Sequence, residues 1–158
     1  MDDDTARFIA EQGAFVVPTM AVIFAMAEVG RKLGLPAPGL EKLEYARRQA
    51  FAGMESMRKA GVRLGFGTDL LGETYVHQRR EFTLRSEVFS PVEILRQATS
   101  ISAALLQHEG RLGWIAPDAY ADLLVVDGDP LKNLLLLAEG RHLPVILRAG
   151  ELIRNELN

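Results

Sequence analysis

Cysteine is absent from the 158 residues. That excludes disulfides, thiolate metal sites and a cysteine nucleophile, and it fits a cytoplasmic location. No window gathers lysine and arginine with interleaved aromatics; "RRQ" at 47–49 and "QRRE" at 78–81 fall inside helical patterns. With a net charge of -3, a nucleic-acid binder working through a basic face is excluded. No apolar run is long enough to span a bilayer, since "FVVPTMAVIFAMA" is interrupted by proline and "LLLLA" is short. The opening "MDDDTARF" is acidic, opposite to the basic start and apolar core of a signal peptide. There is no internal repeat and no low-complexity tract. What remains is a chain with 48% hydrophobic and 25% charged residues, the balance of a soluble globular protein long enough for one domain with a real core.

The first two thirds alternate strand and helix. Residues 3–12 are expected as a helix capped by Asp3 or Asp4, with Phe8 and Ile9 on its apolar side and Gly13 ending it. "AFVVPT" (14–19) is a short β run stopped by Pro18, and 20–33 reads as a helix broken by "GLPAPG". Over 40–60, Leu40, Leu43, Ala46, Ala50, Met54 and Met57 recur at helical spacing, and Gly61 closes the pattern. "VRLGFGT" (62–68) is a strand, and a helix is expected over 77–88. Ser90, Pro91 and Glu93 form an N-cap, N1 and N3 set that opens a further helix, and "SAALLQHEG" adds a helical turn or two. After Gly110 the chain is β-rich: "ADLLVV" is one strand, and "LPVILRAGELIRNEL" is two joined at Ala149-Gly150. Strand and helix in alternation point to parallel βα units.

The stretch "GVRLGFGTDLLGE" (61–73) is chemically unusual because an apolar strand ends in Gly, Thr and one acid. Leu70 stands where a dinucleotide fingerprint needs its third glycine, and no Gly-Lys-Ser/Thr follows, so neither phosphate-binding loop fits. Two readings stay open. Thr68 and Asp69 cap a following turn, or Asp69 points into the mouth of a site at a strand's C-terminal end, where parallel barrels carry their chemistry. Gly65 and Gly67 would then permit close approach of backbone or ligand.

Taken together and in this order, "GVRLGFGTDLLG", "PVEILRQATSISAALL", "GRLGWIAPDAYADLLVVDGDPL" and "VILRAGELI" closely resemble the C-terminal part of the amidohydrolase superfamily. Within it, the resemblance is to the branch of Xaa-Pro dipeptidase-like and imidazolonepropionase-like metal-dependent hydrolases, and it spans nearly the whole chain. It implies an α/β fold: the last strands and helices of a (β/α)8 TIM barrel over residues 1–109, and a β-rich segment of a composite sandwich domain over 110–158. "AFVVPT" is then the seventh barrel strand. The eighth ends at Asp69, whose implied role is to bind a divalent metal, zinc in the complete enzyme, and to shuttle a proton from the hydrolytic water. The implied reaction is hydrolysis of an amide-type C–N bond in a dipeptide or a cyclic amide.

In such enzymes the other metal ligands lie upstream: a His-x-His pair on the first strand, a lysine or acid on the fourth, and histidines on the fifth and sixth. None has a counterpart here. His77, His108 and His142 form neither His-x-His nor H-E-x-x-H spacing, and one aspartate does not hold a catalytic zinc, which needs about three protein ligands. The chain alone is therefore expected to lack hydrolase activity and to bind no metal of its own, as a truncated product or half of a split gene. His77 follows Asp69 in what would be the loop over the active-site mouth, so it is a candidate substrate contact, set against a solvent-facing helix start. His108 reads as a helix C-terminal residue and His142 as a sandwich loop residue. Glu73 and Glu81 read as charged helix faces more readily than as groups behind a site. Asp127 and Asp129 form a turn rather than a calcium loop. Trp114 reads as packing between barrel and sandwich, and "LLLL" (134–137) as an exposed patch unless further chain covers it. The alternative function is a non-catalytic interaction or self-assembly module, whose open barrel edge pairs with a complementary chain or a second copy. A third is a mononuclear site of Asp69 and His77 from two copies. Neither nucleic acid nor membrane is an expected partner.

Overall fold

A computed structural model describes residues 1–157. Asp2, rather than Asp3 or Asp4, caps α1 (Asp3–Glu11), its Oδ1 accepting from the Thr5 N–H at 2.8 Å. Ala6 is buried on this helix and Ile9 packs beside it, whereas Phe8 is exposed. Next come β1 (Phe15–Val16), α2 (Met20–Val29), α3 (Ala37–Ala60) and β2 (Arg63–Leu64). β1 and β2 are parallel, with Phe15 opposite Arg63 and Val16 opposite Leu64. Two helices cross between them, as a parallel connection requires. The expected apolar row holds on α3, where Met54 and Met57 are buried. Gly61 ends that helix at φ +74°, and the Val62 N–H reaches the Met57 carbonyl at 3.0 Å in a six-to-one closure. Only two residues of each expected strand are paired as strand, although the Gly65 N–H extends the contact to the Val16 carbonyl at 2.9 Å.

The helix expected over 77–88 is shorter. A 3-10 turn covers Gly72–His77, and α4 runs only Arg80–Arg85. α5 (Pro91–Arg96) continues through a π turn (Gln97–Ile101) into α6 (Ser102–Leu105), so the two expected segments are one helix with an extra residue. The hydroxyls explain the insertion. Thr99 Oγ1 donates to the Leu95 carbonyl at 2.6 Å and Ser102 Oγ to the Gln97 carbonyl at 2.7 Å, side-chain bonds that compete with the regular ladder. β3 (Leu123–Val125), α7 (Leu135–Glu139), β4 (Val145–Arg148) and β5 (Glu151–Asn155) follow. The second sheet is antiparallel in the order β3-β4-β5, its last hairpin turning at Ala149-Gly150 as expected. The "LLLL" run is α7 and the residue before it: Leu134 and Leu137 are buried, and Leu135 faces solvent.

One apolar cluster joins the two regions. Met20, Met54, Met57, Val62, Leu64, Phe89 and Ile94 from the first meet Leu134, Leu137 and Leu143 from the second. Among the described residues no helix is long and apolar enough to cross a membrane.

The start of α5 is a stability test. The Ser90 hydroxyl and N–H both donate to Glu93 Oε2, at 2.6 and 2.8 Å, and these bonds hold the Glu93 carboxyl below its ordinary range. A depressed carboxylate contributes fully above the ordinary pKa of about 4.3, and its contribution is lost as pH falls through the folded value. Ser90→Ala is expected to lower the unfolding free energy by about 1 kcal/mol at neutral pH. Glu93→Gln should destabilise at neutral pH and match the parent in urea titrations at about pH 2.5.

Candidate functional site

The C-terminal ends of β1 and β2 lie side by side, and the glycines after β2 make this possible. A Cβ on Gly65 would stand 2.8 Å from Leu105 Cδ2 and 3.1 Å from Val17 Cγ2; one on Gly67 would stand 2.8 Å from Val17 Cγ1. Their smallness thus admits neighbouring side chains of this chain. Beyond them Asp69 takes a left-handed φ of +53°, a conformation that aspartate tolerates better than most residues with a side chain. Asp69 is exposed, while Leu70 is buried against Ala21 and Ala25 of α2. The following 3-10 turn is pinned by Thr74, whose Oγ1 accepts from the Leu71 N–H at 3.1 Å and donates to the Leu71 carbonyl at 2.6 Å.

Behind these strand ends lies a buried polar network that the sequence did not disclose. Glu81 and Arg85, both with no exposed side-chain surface, pair at 2.7 Å across one turn of α4. Glu81 Oε2 accepts from the Ala21 N–H at 2.7 Å. It thereby satisfies the first turn of α2, where Thr19 makes no side-chain cap. Arg85 Nη1 donates to Gln97 Oε1 at 2.7 Å, and Nη2 lies 3.4 Å from the Pro18 carbonyl. Its guanidinium sits 4.7 Å from the centroid of the Phe66 ring. Burial pushes the Glu81 carboxyl above its ordinary range, opposed by the Arg85 charge and the Ala21 N–H. Burial likewise lowers Arg85, opposed by Glu81. The charged-face reading of Glu81 is thus overturned, and Glu73 alone of the two is exposed. An acid and an arginine four apart are the usual mark of a solvated helix face. The available signal was Phe82 and Leu84 between them, which leave this short helix little polar surface.

The histidines do not converge on Asp69. His77 ends the 3-10 turn half-buried, beside Glu28, whose carboxyl is held low mainly by Arg80 and slightly by His77. Arg80 grips Glu28 through two bonds of 2.8 Å. His108 is exposed beyond α6, and His142 Nε2 accepts from Arg141 Nε at 3.1 Å in the loop before β4. Asp129 caps a turn through the Leu131 N–H at 3.0 Å. Trp114 is 53% exposed and lines an apolar groove with Leu95, Leu124 and Leu137, so it does not fill an interior contact. Among the described residues no three His, Asp or Glu side chains could hold a metal ion together. This donor set does not fit a catalytic metal, because one exposed carboxylate is about two ligands short.

A sequence profile of the amidohydrolase family matches residues 1–153. No curated protein matches the chain. Among solved structures, an amidohydrolase is 45% identical over all of this chain, with a TM-score of 0.95. A prolidase crystallised with N-methylphosphonate-L-proline is 38% identical over 98% of the chain, with a TM-score of 0.93. A Xaa-Pro dipeptidase with methionine bound in its active site is 25% identical over 98%, with a TM-score of 0.84. The chain spans 38% of the length of each of these three proteins.

The network's energetics can be measured. Arg85→Met leaves the Glu81 carboxylate buried without its cation, and chemical denaturation should report a loss of about 3–5 kcal/mol. A loss below about 1 kcal/mol, the value for an exposed pair, would show that the pair is hydrated in solution.

Proposed function

The chain belongs to the amidohydrolase family, and from that premise we propose that it is the C-terminal portion of a metal-dependent hydrolase cleaving an Xaa-Pro type dipeptide. In this reading β1 and β2 are the seventh and eighth strands of a (β/α)8 barrel within residues 1–109, and 110–158 contribute to a β-sandwich. Asp69 is the carboxylate this chain brings to a divalent metal, zinc in the complete enzyme, whose other ligands come from residues outside it. His77, on the turn that follows, is a candidate substrate contact. The supporting observation is the parallel β1–β2 pair with Asp69 just past its C-terminal end, in a chain that superposes on a prolidase along almost all its length. The likeness to a second dipeptidase favours a dipeptide over a cyclic amide.

A second reading, an assembly module, draws on the apolar groove beside β3, where Trp114 is 53% and Ile115 91% exposed. One comparison separates the two. The 158-residue chain alone should neither bind zinc nor hydrolyse an Xaa-Pro dipeptide, while the same chain joined to the upstream barrel strands of the 45%-identical amidohydrolase should do both. Asp69→Asn in the joined form should lower turnover by ~10²–10⁴-fold. Full turnover by the short chain, or by the asparagine variant, defeats the proposal. Stoichiometric self-association of the short chain, with no activity in the joined form, favours the module.

A further inference from the structure

We propose that the buried Glu81–Arg85–Gln97 network is the positioning element for Asp69, holding the chain on both sides of that carboxylate. The inference rests on the reading of Asp69 as the working group. Asp69 is exposed and left-handed, so its direction is set by the residues before and after it. On the upstream side, Gln97 acts twice. Its Oε1 accepts from Arg85 Nη1 at 2.7 Å, and its backbone carbonyl accepts from Ser102 Oγ at 2.7 Å. Ser102 Oγ in turn accepts from the Phe66 N–H at 3.0 Å, while the Arg85 guanidinium covers the Phe66 ring. Phe66 stands three residues before Asp69.

On the downstream side, Glu81 bonds the N–H of Ala21, and Ala21 packs against Leu70, the residue after Asp69. Arg85 also reaches toward the Pro18 carbonyl at 3.4 Å, so the end of β1 enters the same frame. The π turn serves this arrangement: the extra residue between Gln97 and Ser102 lets the hydroxyl that holds Phe66 bond the backbone of the residue that holds Arg85. All three side chains are buried, Glu81 and Arg85 completely. They are therefore positioning residues rather than catalytic ones, and their influence passes through Phe66 and Leu70.

The test compares Gln97→Leu, Gln97→Glu and the double variant Glu81→Gln/Arg85→Met in the intact protein carrying this chain. Gln97→Glu keeps an acceptor for Arg85 but sets a second buried carboxylate against one guanidinium, whereas the double variant removes both charges together and leaves no lone buried ion. Hydrogen exchange should rise at least ~10-fold over residues 64–71 in Gln97→Leu and in the double variant, with α3 unchanged and Gln97→Glu near the parent. Zinc affinity and kcat on an Xaa-Pro dipeptide should fall ~10–100-fold in the same two variants, with KM within about twofold. Parent-like exchange over 64–71 in Gln97→Leu or in the double variant, or a uniform rise that includes α3, overturns the inference. If the exchange pattern holds while the parent neither binds zinc nor hydrolyses the dipeptide, the proposed function falls and the positioning role stands.

Discussion

Glu81 and Arg85 pair at 2.7 Å without solvent contact, and this is the constraint on which the region around the strand ends depends. Stripping water from such a pair costs several kcal/mol per ion, which their attraction repays only when the remaining polar atoms also find partners. That condition is met: among the described residues no buried side-chain nitrogen or oxygen lacks one. The partners are the backbone of Ala21, the amide of Gln97 and the carbonyl of Pro18. Because each belongs to a different element, satisfying the pair fixes α2, α4, the π turn and the end of β1 relative to one another. An apolar cluster of similar volume would tolerate small slippage; a network of directional bonds does not.

In the proposed positioning role, that frame sets the place of the exposed Asp69 through its neighbours in the chain. Leu70 anchors under α2 and Phe66 lies beneath a guanidinium, and the acid between them stands in a backbone conformation that most residues avoid. On the proposed reading this is one carboxylate on a fixed mount, and among the described residues no trio of His, Asp or Glu side chains is gathered to hold a metal ion. Such a mount makes chemical sense when other groups approach from chain not included in these residues. The match to proteins of which this chain spans 38% is consistent with that view.

Much of the fold was legible from local signals. The Leu40 to Met57 row, the glycine stop at Gly61, the Ser90/Glu93 start and the Ala149-Gly150 hairpin each rest on short-range chemistry, and each stands where it was expected. Chain segments whose form is set by distant partners were not legible. The strands 14–19 and 62–68 pair over only two residues each, because a strand's extent depends on its neighbours. The π turn accompanies the bond from the Phe66 N–H, just past β2, to Ser102 Oγ, which no local pattern reveals. Glu81 looked like a solvated charge because its spacing to Arg85 fits a surface pair equally well. Its true partner, the Ala21 N–H, lies 60 residues away. The position of Asp69 just past an apolar strand was legible, whereas its exposure was not.

The most direct measurement is a crystal structure of the intact protein grown with zinc. The account calls for an Asp69 carboxylate oxygen about 2.0–2.2 Å from the metal, with imidazoles from preceding chain completing the coordination, and the Glu81–Arg85–Gln97 bonds unchanged behind it. Zinc held by other residues, with the Asp69 side chain still in bulk water, would contradict it.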